Sequence, residues 1–421
     1  MTDLTTSPLK TLLLEASAKR DSAFGRRVTF SPKVFIPLTH LCRDKCGYCT
    51  FAQPPAKVKS PFLSPSEVLQ IAFDGSKAGC HEALFTLGEK PELRYPAAKS
   101  WLEEHGFEST IHYLHDMAKL VVEETGLLPH ANAGAISYED LKLLREVSPS
   151  QGMMLESLNA NLECHIGSPD KEPWRRLETL EAAGELAIPF TTGLLVGIGE
   201  SRKDRVKAIE AIAESHKRHG HIQEVIVQNF LPKAGTRMHK KKPCPTDDYL
   251  ETIALARLLL PSEIHIQAPP NLSDDFGILL DAGIDDWGGV SPVTSDHVNP
   301  ERPWPALTRI SEITESLGFF LAPRLTIYPE YARKPEKWLD PKLHFAVLDR
   351  SDSEWLGRDD PGAIFPEKIE FVTNADDGAE VAQVGEDSTQ WYSGSTVSPQ
   401  NLLSGYAKSS SEIDEITQGV L

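Results

Sequence analysis

Between Val34 and about Asp286, short β-rich runs alternate with helical patterns, and this alternation constrains the fold more than any other feature. The runs VFIPLT (34–39), EALFTL (82–87), LPHANA (128–133), GMMLES (152–157), PFTTGLLVG (189–197), EVIVQNF (224–230) and IHIQAP (264–269) read as strands. The segments between them carry helix boundaries. Ser64-Pro65-Ser66-Glu67 is a capping box with proline at the first helical position. A second helix spans about Thr110 to Thr125 and stops at Gly126, and another begins at Ser137. WRRLETLEAAG is expected to end at Gly184, RKDRVKAIEAIAESHKRHG at Gly220, and TDDYLETIALARLLLP at Pro261. Such spacing implies parallel β/α units, as a doubly wound sheet or as a barrel, and periodicity alone does not choose.

The length of 421 residues allows one large barrel or two smaller domains. A net charge of −18 argues against nucleic acid or an anionic membrane as the main partner. The chain holds no apolar run long enough to span a bilayer, and its first residues lack a secretory pattern, so a cytoplasmic location is expected. From Asp359 onward there are 12 Asp and Glu against 2 Lys, a balance of −10. The expected organisation is an N-terminal segment (1–30), a core (31–335) and an acidic, partly flexible C-terminal extension (336–421).

Three of the six cysteines fall within LCRDKCGYC, as Cys42, Cys46 and Cys49, directly after a predicted strand. Cys80, Cys164 and Cys244 are scattered singly. Structural zinc prefers four ligands, and here only His40 stands near enough in sequence to complete a set. A disulfide would leave one thiol over. Three thiolates suit a 4Fe-4S cluster whose fourth iron is left for a substrate or cofactor.

The C-x3-C-x2-C spacing, with Tyr48 before the last cysteine, resembles the signature of the radical S-adenosylmethionine (SAM) superfamily. That resemblance implies SAM bound at the open iron. TLGEKPE (86–92) resembles the family's Gly-Gly-Glu segment, with Leu87 in place of the first glycine and Gly88 and Glu89 facing the SAM amino group. GLLVGIGE (193–200) resembles the G-x-I-x-G-x-x-E element near adenine, with Gly193, Gly197 and Glu200 in its conserved places; a strand end that needs glycines for its turn is the plainer alternative. Glu156 would accept hydrogen bonds from the ribose hydroxyls, or else cap a helix or face solvent.

Across residues 34–301 the segments VFIPLTHLCRDKCGYCTFA, FTLGEKPELRYP, ETGLLPHANAG, SQGMMLES, HGHIQEVIVQNF, QAPPNL and AGIDDWGGVSPVTSDHVNPE resemble, in order, the CofG-type subunits of FO synthases. FO is 7,8-didemethyl-8-hydroxy-5-deazariboflavin. The resemblance implies a partial radical SAM α/β barrel, a lyase reaction on an adduct supplied by a separate CofH-type enzyme, an electron-donor protein, and loss of ammonia. No second three-cysteine motif follows, so a complete fused synthase is not expected. Residues offering polar or aromatic contacts to such an adduct are His130, Asn132, Gln228, Asn229, Gln267 and Trp287. Asp285, Asp296 and His297 are the candidates for proton transfer, Asp296-His297 alternatively as a loop brace. A radical SAM enzyme acting on another heterocycle, a metal-stabilised binding protein and a thiol redox sensor are the rival readings.

Overall fold

The computed structural model describes residues 7–358. Helix α1 (Leu9–Phe24) precedes strand β1 (Arg27–Thr39). Then follow α2 (Pro65–Lys77), β2 (Glu82–Leu87), α3 (Pro96–Glu104), α4 (Thr110–Thr125), β3 (Leu128–Asn132), α5 (Tyr138–Arg145) and β4 (Ser150–Gly152). The second half runs α6 (Pro173–Glu185), β5 (Phe190–Val196), α7 (Arg202–His219), β6 (Ile222–Asn229), α8 (Thr246–Leu259), β7 (His265–Gln267), α9 (Ile278–Asp281), β8 (Asp286–Val290), α10 (Leu307–Ser316) and β9 (Phe320–Pro323).

Every ladder between these strands is parallel, β2 through β8 pair in chain order, and β1 joins β8 to β2. The expected α/β barrel is therefore present, and it closes, a fuller circumference than the partial barrel the resemblance implied. Strand β1 is long enough to serve three neighbours. Its first half pairs with β8 and β9, and its second half, from Lys33, pairs with β2. Strands β8 and β9 have no counterpart in the sequence reading.

Local chemistry sets the helix ends. Ser64, Ser137 and Ser201 each cap a helix reciprocally with the acidic residue three positions on. Gly126 and Gly220 take the left-handed conformation that ends α4 and α7. Gly184 does not end α6; it lies one residue inside, where a Cβ would run into the His219 ring on α7. Strand β4 ends at Gly152 instead of running 152–157. The chain then runs on beside β5, Met153 N–H donating to the Thr191 carbonyl (2.9 Å) and Leu155 N–H to Thr192 Oγ1 (3.3 Å), and bridges it at Glu156, whose φ is +63°.

Outward strand residues such as Val34, Ile36, Leu38, Val225 and Ile266 are fully buried beneath the helices. Folded structure continues past residue 335. Leu325, Ile327, Tyr328, Trp338, Leu339 and Val347 form a second apolar cluster with Leu128. The acidic stretch from Asp359 lies outside the described residues. No helix among the described residues is long and apolar enough to cross a membrane.

Candidate active site

The cysteine loop leaves β1 at the C-terminal mouth of the barrel, where βα loops gather in such folds. Cys42, Cys46 and Cys49 are free thiols, and the Cys49 N–H donates to the Cys46 carbonyl at 3.3 Å. The loop is held from several sides. Gly47 N–H donates to the Cys164 carbonyl at 2.7 Å, Met238 N–H to the Gly47 carbonyl at 3.0 Å, and Arg94 Nη1 to the carbonyls of Cys42 and Arg43. The Glu89 N–H points at Cys42 Sγ (3.3 Å), and Ser168 Oγ lies 3.6 Å from Cys46 Sγ.

Burial raises the Cys42 thiol well above its ordinary value, with Glu89 and Asp44 adding to it, and pushes Cys46 up to about 12. Thiolates in that setting need the positive charge of bound metal. Three free thiols on one short loop are a donor set that fits a 4Fe-4S cluster with one iron left open.

The post-β2 segment touches this loop. Gly88 is required there, because a Cβ would overlap the Leu41 carbonyl, and its N–H donates to Thr39 O at 3.0 Å. Glu89 gives its carbonyl to the Arg43 N–H (2.8 Å). Its carboxylate accepts from Arg176 Nη2 (2.5 Å) and from the Ala135 N–H (3.0 Å). The side chain thus braces the site while its backbone faces the cysteines.

Glu156 is buried and accepts from Tyr48 Oη, from His165 Nε2 (3.0 Å) and from Lys171 Nζ (2.5 Å). Burial would raise its carboxyl, but Lys171, His165 and Arg176 outweigh that and hold it well below the usual carboxylate range. Tyr48 therefore reaches the Glu156 carboxylate directly. Lys171 and Arg176 had no motif in the sequence to mark them. The buried trio Asp44, Glu89 and Asp170 is met by Arg43, Lys90, Lys171, Arg175 and Arg176, so cations of the chain already balance it.

In the glycine segment, Gly193 lies mid-strand, where a Cβ would overlap the Ile226 carbonyl; Gly197 has φ +95° and abuts Cys244. Glu200 folds back to accept from the Gly197 and Ile198 N–H groups, both at 2.8 Å, and pairs with Arg205 at 3.1 Å. It holds the turn beside an apolar patch of Leu162, Ile198, Phe230 and Met238, against which Tyr48 packs.

Below the cysteine loop the barrel encloses a cavity of about 140 Å³. His130, Asn132, Gln228, Gln267, Asp296 and His297 all line it. The other three candidates do not, and their contacts explain why. Trp287 is fully buried in the core, its Nε1–H donating to Thr314 Oγ1 (3.0 Å) and its ring edge-on to Phe276. Asp285 is clamped by Arg257, His265 and the Ile266 N–H. Asn229 donates to the Leu272 carbonyl. Asp296 spends both oxygens on the backbone N–H groups of Val298 and Asn299 and the amides of Asn271 and Asn299, a loop brace.

Among apolar residues such as Phe35, Leu84 and Ile226, the lumen also carries buried charge, which the branched apolar layers usual in such barrels lack. Lys33 pairs with Glu82 (2.7 Å), and Arg324 with both Glu224 (2.7 Å) and Asp286 (2.6 Å). Burial lowers His130 to about 4; its Nδ1 meets Ser150 Oγ at 2.7 Å. Arg324 and Thr326 come from the segment after β9, which crosses beneath the strands and closes the N-terminal end.

The radical SAM superfamily model matches residues 36–212. The chain is 50% identical over 338 residues to the 7,8-didemethyl-8-hydroxy-5-deazariboflavin synthase of Methanopyrus kandleri, covering 79% of this chain and all of that protein. It belongs to the FO synthase family of radical SAM enzymes. To the FO synthase of Nocardia farcinica it is 51% identical over 334 residues, 76% of this chain but only 39% of that protein. It thus spans about two-fifths of the length of that longer FO synthase. Among solved structures, the hydrogenase maturase HydG of Carboxydothermus hydrogenoformans superposes with TM-score 0.62 at 19% identity, covering 82% of this chain and 85% of that one. Methylornithine synthase PylB gives 0.59, also at 19%, covering 76% and 92%. These two share the fold. As a member of its family the chain uses a 4Fe-4S cluster and SAM, and Cys42, Cys46 and Cys49 are free thiols on one loop that could hold the cluster.

Proposed function

We propose that this chain is a CofG-type lyase. It converts 5-amino-5-(4-hydroxybenzyl)-6-(D-ribitylimino)-5,6-dihydrouracil to FO with release of ammonia, methionine and 5'-deoxyadenosine. The observation that carries the reading is the polar lumen directly below a three-cysteine loop, in a chain matching the Methanopyrus kandleri synthase over that protein's whole length. With cluster and SAM bound, the site supplies a 5'-deoxyadenosyl radical that takes a hydrogen atom from the adduct.

The residues of the chain do the rest. Amides on β3, β6 and β7 offer donors and acceptors to a uracil ring and a ribityl chain. The plug carrying Arg324 seals the floor against water, so the substrate rests on fixed dipoles. Burial first, and then His40, lowers His297 to about 4, so its imidazole stays neutral at the cavity wall, with Nε2 lacking a hydrogen-bond partner among the described residues and open to the substrate's polar groups. A separate CofH-type enzyme supplies the adduct, an electron-donor protein reduces the cluster, and the enzyme works in the cytoplasm.

The test is anaerobic reconstitution with iron and sulfide, reduction, and addition of SAM with the CofH-type product. Fluorescent FO and 5'-deoxyadenosine, both absent in Cys46→Ala, are expected. 5'-Deoxyadenosine without FO would keep the superfamily chemistry and reject this substrate.

A further inference from the structure

One wall of the lumen holds a donor with nothing to receive it. Trp304 is buried and lines the cavity, and its Nε1–H has no hydrogen-bond partner among the described residues. Its ring is stacked on Phe35 of β1, centroids 5.4 Å apart and planes 17° from parallel. Indole nitrogen can only donate, so the position calls for an acceptor such as a carbonyl. Across the same space lie the amides of Asn132, Gln228 and Gln267. Gln267 fits there because Gly288, at φ +78°, has no Cβ to displace its amide. Deeper in, Lys33 is paired with Glu82 and Arg324 with Glu224, so the lumen has no unbalanced cation to attract an anionic ligand. Neutral amides above paired charges suit an uncharged ligand with ring carbonyls at one end and hydroxyls at the other.

We propose that Trp304 is a specificity-determining residue: its Nε1–H donates to a carbonyl of the pyrimidine ring, while the hydroxylated chain runs past Gln228 and Asn132 toward the Lys33–Glu82 pair. This rests on the reading that the substrate is the ribityl-pyrimidine adduct. It adds an orientation, chain inward and hydroxyphenyl group toward the cysteine loop, and a residue outside every motif in the sequence.

The experiment uses the full-length, cluster-loaded protein and two fluorescent ligands: FO, and an FO analogue with a methyl group in place of the ribityl chain. Trp304→Phe keeps the stack on Phe35 and removes the donor. It should weaken both ligands by about tenfold, the usual cost of an unmet buried carbonyl. Asn132→Ala should weaken FO by a similar factor and leave the methyl analogue unchanged. Equal binding of FO by Trp304→Phe and the unaltered chain would overturn the assignment, as would a loss confined to FO.

If the unaltered chain binds neither ligand, the ribityl-pyrimidine reading itself fails. If Trp304→Phe does not fold, the indole N–H resonance of Trp304 in the unaltered chain decides. It should shift downfield and gain protection from exchange when FO binds; an unmoved resonance would reject the contact.

Discussion

Gly88 shows how one missing methyl group positions chemistry. A Cβ there would overlap the Leu41 carbonyl next to Cys42, so Gly88→Ala must push the cysteine loop and the post-β2 segment apart. Strain of about 1–3 kcal/mol is expected. Iron per chain after reconstitution should fall sharply while far-ultraviolet circular dichroism stays unchanged. Glu156→Gln leaves Lys171 buried beside a neutral amide, and breaking such a pair costs about 3–5 kcal/mol. Urea denaturation should register that loss, with weakened SAM binding beside it. His265 carries a pH signature. Burial alone would lower its imidazole, but Asp285 and then Glu330 overcome that and hold it at about 9. A raised pKa gives stability that is complete below the unfolded value near 6.5 and is lost as pH rises through about 9. Melting temperature should therefore decline over that interval, and His265→Gln should flatten the decline. At this scale the sequence was legible where a motif demanded specific atoms, as for the three cysteines. It was misleading where a residue type served two purposes. Trp287 and Trp304 are both large aromatics in loop-flanked strings, yet one satisfies its N–H on Thr314 and the other meets only the cavity.

Helices were readable because capping serines and terminal glycines act within a few residues. Strands depend on partners far away in sequence. Met153, Met154 and Leu155 look like a strand, but the regular ladder of β4 ends at Gly152: Met153 N–H still reaches the Thr191 carbonyl, whereas Leu155 N–H turns to the Thr192 hydroxyl. Strand β9 was hidden for the same reason: Phe320–Pro323 gains meaning only beside Arg27–Phe30. The plug that follows it is the element on which the lumen floor depends. Arg324 neutralises Glu224 and Asp286 together, so Arg324→Met leaves two buried carboxylates without a counter-charge. The variant should lose about 3–5 kcal/mol of stability. Part of that loss should return in the triple variant that also carries Glu224→Gln and Asp286→Asn, as measured by chemical denaturation.

Over the whole chain, residues 7–358 close their own barrel and seal its lower end, with Gly357 donating to the Pro323 carbonyl at 3.1 Å. A chain ending at Arg358 is expected to melt within about 2 °C of the full-length protein, the shift of a sub-kilocalorie change at this size. It should also form FO from purified adduct; a large fall in either would show that the acidic stretch completes the catalytic unit.

The threefold pairing of β1 also bears on how the molecule is made. Thr29 bonds to Asp286, 257 residues further along the chain. At ribosomal rates of about 5–20 residues per second, the first half of β1 waits roughly 13–50 seconds for its neighbours to be synthesised. During that interval the nascent chain carries residues 27–32, with Val28 and Phe30 unburied, as a strand with a bare edge. The first half of β1 can therefore complete its pairing only after β8 and β9 have left the ribosome. The yield of folded chain is expected to vary with the pace of translation, as soluble protein per chain synthesised would show.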